Sequence, residues 1–206
     1  MGFLKLACHF SCQLGIFVLL ISGSLSAQNS SYDGAWWQLR SAPEQEGFIF
    51  GFGDCYADPG GQKIRILLDD SEIRIAMGTY FQGHERLHTR PVAQVLKDIW
   101  SGHISVPEAK RAAVGQGWRE RHGYFDGLWW KGSSPTEQLG FVEGYITCHN
   151  TEHRKAQPLR LPAASYVQSI TAWYAMPGDE SLAAQHRAEK VGDVLLRFTQ
   201  TGAHAR

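Results

Sequence analysis

The sequence predicts a mainly α protein, built as two homologous three-helix halves that pack as a pseudo-two-fold pair. Three observations carry that prediction. Residues 33–56 (DGAWWQLRSAPEQEGFIFGFGDCY) and 126–149 (DGLWWKGSSPTEQLGFVEGYITCH) align without a gap at an offset of 93, and 11 of the 24 aligned positions are identical, where composition alone would give roughly one or two. Each copy carries an S-x-x-E helix start, Ser41 with Glu44 and Ser134 with Glu137, in which the serine oxygen takes an orphan helix N–H and the glutamate reaches back. Further along, apolar residues recur at helical spacing in both halves.

The segment 1–27 reads as a signal peptide. Lys5 supplies a short positive region, Leu14 to Ile21 a short apolar run and Gly23 to Ala27 a cleavable stretch of mostly small residues. The run falls short of the roughly 20 residues of a membrane span, so the expectation is export, to periplasm or medium, with no stable membrane insertion after cleavage. Residues 28–125 then form the first repeat, carrying an insert at 57–90, and 126–206 the second.

In the repeated stretch, Pro135 stands at a first helical position, where its missing N–H costs nothing. Gly47, Gly51 and Cys55 are spaced i, i+4, i+8, and Gly140, Gly144 and Cys148 repeat the pattern. One stripe of each helix is therefore nearly bare. A helical glycine costs about 1 kcal/mol relative to alanine, so a matched pair in each copy implies close backbone approach. If these two helices cross on their glycines, Cys55 and Cys148 come near one axis and can bridge; if each stripe instead receives a helix of its own half, the two stay apart as buried thiols. Both outcomes fit the spacing.

In the insert, Asp58-Pro-Gly-Gly61 signals a turn. Ile64, Ile66, Leu68 and then Ile73, Ile75, Met77 alternate with mostly polar neighbours, which fits a β-hairpin over 62–80, a length that also accommodates a helix. The second copy lacks a counterpart on this reading. Pro91–Trp100 and Pro162–Ala175 read as the second helices of the halves; 105–121, opened by Ser105-Val-Pro-Glu108, and 180–198 read as the third.

The charges balance at 20 Lys and Arg against 20 Asp and Glu, without the clustered basic excess that phosphate binding needs. Nucleic acid is thereby set aside as the main partner, and no cofactor fingerprint is present. His84-Glu-Arg-Leu-His88 has the H-E-x-x-H form in which two histidines on one helical face bind zinc and the glutamate (here Glu85) acts as base. Gly83 before it and Pro91 after it leave barely one or two turns of helix, so a small zinc hydrolase on His84, Glu85 and His88 is the alternative reading. Cys148, His149 and His153 form a second metal-like cluster, weighed against ordinary surface histidines. The pairs Trp36–Trp37 and Trp129–Trp130 read either as an aromatic platform for a ligand or as core leading into each helix.

The helix start followed by G-F-x-x-G-[FY]-x-x-C resembles small exported bacterial helical domains, among them the Tai-type immunity proteins that protect against type VI secretion effectors. The resemblance covers about 25 residues of each half. It implies a non-catalytic helical protein that binds another protein, with no catalytic residue to carry over. The duplication within one chain departs from that group.

Overall fold

The computed structural model describes residues 32–57, 70–83, 85–104, 125–176 and 180–201, all within one compact unit. The expected signal peptide, the turn at 58–61, the strand expected at 64–68 and the helix expected at 105–121 lie outside the described residues. The elements among them are helices, in the order α1 (Gly34–Gln38), α2 (Ala42–Ala57), α3 (Asp70–Gly83), a 3-10 turn (Glu85–Leu87), α4 (Val92–Trp100), α5 (Gly127–Gly132), α6 (Pro135–Glu152), α7 (Ala163–Tyr174), α8 (Glu180–Ala188) and α9 (Val191–Thr201). The mainly α expectation holds.

Each tryptophan pair occupies a short helix of its own, α1 or α5. Asp33 caps α1, its Oδ1 accepting from the Trp36 N–H at 2.9 Å, and Asp126 caps α5, accepting from Leu128 and Trp129. Neither helix has the length to persist alone; side chains lock both to the next helix. Gln45 Nε2 donates to the Trp37 carbonyl at 2.8 Å, and Gln138 Nε2 donates to the Trp130 carbonyl at 2.6 Å. Ser134 caps α6 as its spacing implies, accepting from the Glu137 N–H, with Pro135 in the first turn.

The centre of the protein is the crossing of α2 and α6. A Cβ built on Gly47 would meet the Glu137 carbonyl, and one on Gly140 the Glu44 carbonyl; Gly51 likewise faces Phe141, and Gly144 faces Phe48. Every contact of this set maps onto another at the same offset of 93. Backbone therefore rests on backbone, which side chains would forbid, and the close-approach reading of the glycines is correct. The flanking stripe of Phe48, Phe52, Phe141 and Tyr145 is buried around the crossing. One turn beyond the glycines, Cys55 and Cys148 form a disulfide with Cα atoms 6.1 Å apart.

Three expectations are corrected. The hairpin gives way, over its described part, to α3. Ile73, Ile75 and Met77 satisfy a period of two, but Ile73, Met77 and Phe81 satisfy a period of four, and these three are fully buried while Ile75 is 58% exposed. A pleated face would have buried Ile75 with its neighbours. Residues 70–83 are also not without a counterpart. Phe81 lies against Gly34 and Tyr174 against Gly127, and the buried Ile73, Met77 and Phe81 of α3 stand 93 positions ahead of the buried Tyr166, Ile170 and Tyr174 of α7. The match expected between 91–100 and 162–175 therefore fails. Asp33 bridges Pro91 and Asp126 bridges Lys190, with Val92 and Val191 donating N–H bonds to the Tyr32 and Phe125 carbonyls, which pairs α4 with α9. Finally, 180–198 is not one helix. It breaks at Glu189-Lys190, where Lys190 takes up its bridge to Asp126.

Candidate functional site

The segment from Tyr32 to Glu44 turns a corner between α1 and α2, and polar chemistry gathers there. Trp37 points inward and is fully buried, whereas Trp36 is half-buried, 4.8 Å from Tyr32 edge-on and 5.2 Å from Phe48. The Arg40 guanidinium lies over the Trp36 ring at 5.2 Å and 3.4 Å from Glu44 Oε1. Glu44, in the first turn of α2, is buried near a helix N-terminus, where a carboxylate is favoured. Facing it from α6 is Glu143, only 9% exposed, whose Oε2 is buried without a hydrogen-bond partner among the described residues. Burial, and then the negative charge of Glu44, push the Glu143 carboxyl up to about 7 against the pull of Arg40. Tyr32 is raised well above the usual phenol range, by burial and then by Glu143.

Of this charge pattern the positions 93 residues away keep only Glu137, the counterpart of Glu44. Phe125, Trp129 and Ser133 stand where the first copy has Tyr32, Trp36 and Arg40, and Phe50 stands where the second has Glu143. Phe125 and Trp129 meet at 4.9 Å, with Phe50 5.3 Å from Phe125, so this corner is apolar and filled. The polar corner thus holds the Arg40–Glu44 ion pair and, buried beside it, a Glu143 carboxyl that keeps its proton up to about pH 7 and whose Oε2 has no hydrogen-bond partner among the described residues, a costly placement for a polar group. At its rim Leu39 is 84% exposed.

Elsewhere a cleft of about 860 Å³ opens where α4 meets the C-terminal end of α6; its lining includes Gln94, Lys97, Glu152, His153, Arg154 and Lys155. Lys97 Nζ pairs with Glu152 across it at 2.8 Å.

The residues singled out in the sequence are dispersed. Trp37 and Trp130 are core, 0% and 2% exposed, so neither ring can meet a ligand; Trp36 and Trp129 are half-buried. His84 lies outside the described residues. Glu85 sits in the 3-10 turn rather than an α-helix, and His88 Nε2 is 2.8 Å from the Phe81 carbonyl oxygen. His149, expected at the surface, is buried, its Nε2 3.0 Å from the Gln157 carbonyl oxygen. Cys148 and His153 do come together, but with Cys55 in place of His149.

Sequence reasoning missed Tyr32, Arg40 and Glu143. The signal was present in the aligned copies, where Arg40 faces Ser133 and Glu143 faces Phe50 amid otherwise similar residues. No known protein family, curated protein or solved structure matches the chain.

Proposed function

We propose that the chain is an exported, non-catalytic helical binding protein of the bacterial envelope, its two halves related by a pseudo-two-fold axis at the α2–α6 crossing. Its partner is another protein, engaged at the corner of Tyr32, Trp36, Arg40, Glu44 and Glu143. The carrying observation is the buried Glu143 carboxyl, its Oε2 without a hydrogen-bond partner among the described residues, beside the Arg40–Glu44 pair in a corner whose chain carries the exposed Leu39. A cationic side chain from a partner would draw off the Glu143 proton and pair with the carboxylate so formed, while Leu39 and the Trp36–Arg40 stack offer the aliphatic and aromatic contacts that dominate interfaces. Export is supported by the bridged cysteine pair, which suits an oxidising compartment, and among the described residues no helix is long and apolar enough to cross a membrane. The resemblance to Tai-type proteins makes blocking of a toxin the first role to examine.

The test is comparative capture from the source organism's periplasmic or culture fraction. A protein held by the wild-type chain should be released by Leu39→Asp and retained by Leu128→Asp, a control at a residue 66% exposed. Equal retention by both variants, or equal loss, would sink the assignment of this corner.

A further inference from the structure

We propose that Cys55, Cys148 and His153 become, on reduction of their disulfide, a site for a thiophilic divalent cation of the zinc type, its open position facing the α4–α6 cleft. Each of the three offers one ligand atom, and these atoms all lie within 4.8 Å of one another. Cys55 comes from the last turns of α2 and Cys148 from α6, held together by the glycine crossing; His153 follows as the C-cap of α6. On an unbroken helix His153 would point about 140° away from Cys148. At His153 the backbone leaves helical geometry (φ −103°, ψ 48°), and the ring reaches the sulfurs.

The surroundings suit such a site. Both sulfurs belong to buried residues, while His153 is half-buried and lines the cleft, which supplies an entry path. The His149 ring lies 5.6 Å from that of His153 and is anchored by its contact with the Gln157 carbonyl, which restricts how His153 can turn. The chemistry balances with a dithiol as reductant. It is oxidised to its own disulfide and delivers two electrons and two protons, so that the Cys55–Cys148 S–S bond becomes two thiols. Binding of the cation expels those two protons as both sulfurs ligate as thiolates, and the neutral imidazole gives the third bond. Two thiolates and a divalent cation carry no net charge, so burial is tolerated. Three protein ligands leave a fourth position for water or a ligand from the cleft.

The test uses the mature chain, reduced with a dithiol, freed of it without air, and titrated with Co²⁺ as a spectroscopic probe. The expected result is one Co²⁺ per chain with a thiolate-to-metal charge-transfer band, displaced by Zn²⁺, and no band from the oxidised protein. His153→Ala should bind at least about tenfold more weakly, since loss of a ligand should cost no less than loss of an outer-shell partner. Absence of the band from reduced wild type, or a band indifferent to His153→Ala, overturns the proposal. So does a reduced chain whose helical circular dichroism is lost both with and without metal.

Discussion

Trp37 and Trp130 hold corresponding places in the core, but their indoles fare differently. Trp130 Nε1 donates to Thr171 Oγ1 at 3.1 Å, whereas Trp37 Nε1 is buried without a partner among the described residues. The residue 93 positions ahead of Thr171 is Gly78, on α3, and a Cβ built there meets nothing within 4 Å. Gly78→Thr should therefore place a hydroxyl where Trp37 needs one. Two contributions add. Threonine for glycine inside a helix gains a few tenths of a kcal/mol, about 0.4, and a new hydrogen bond to a buried donor gains about 1 kcal/mol, for a total near 1.5 kcal/mol. Gly78→Ala would gain about 1 kcal/mol from helix propensity alone, so total stability separates the two poorly. A double-mutant cycle with Trp37→Phe isolates the hydrogen bond, because phenylalanine has no N–H. Urea unfolding of the four chains should give a coupling of about 1 kcal/mol for threonine and none for alanine. A threonine coupling within the roughly 0.3–0.5 kcal/mol scatter of independent sites refutes the equivalence of α3 and α7 on which the argument rests.

Two further outcomes are expected. Glu143 in the folded protein holds its proton up to about pH 7, where the unfolded chain releases it near 4.5; the folded state thus binds more protons between those values, and stability should fall as pH rises from about 4.5 to 7, by at most about 3 kcal/mol. Glu143→Gln, neutral throughout, should remove that slope, and unfolding curves at pH 5 and 8 that shift equally in wild type and variant would contradict it. Gly51→Ala should lose about 1 to 3 kcal/mol despite its better helix propensity, because the new Cβ lands on the Phe141 carbonyl, whereas Gly132→Ala, which meets no atom within 4 Å, should lose nothing in the same thermal melts.

Much of the architecture was legible because it rests on local, periodic signals. The helix start at Ser134, the glycine spacing and the duplicated cysteines are patterns that backbone geometry demands. What was not legible depends on partners distant in the chain. Ile75 and Met77 alternate as in a strand until α1 and α2 are in place to decide which side is buried. The counterpart of α3 was hidden for the same reason: Met77 and Ile170, or Phe81 and Tyr174, are alike in bulk and burial rather than identity. The polar corner escaped notice because Arg40 and Glu143 are far apart in sequence and each is unremarkable alone; their meaning comes from α6 bringing Glu143 onto Glu44.

The backbone-to-backbone crossing also bears on valence. Two separate identical chains meeting on such a stripe would be obliged to present every corner twice. Here the two crossing helices belong to one chain, so each can drift independently: Phe50 fills one corner with an aromatic ring while Glu143 puts a carboxyl into the other. If the proposed corner is the docking position, the chain offers only one, and its complexes should be one-to-one rather than two-to-one. Glycines and a disulfide clamp the crossing, so the joint that frames this corner has little room to flex, and a partner docking there would meet no reorganisation cost between its two helices.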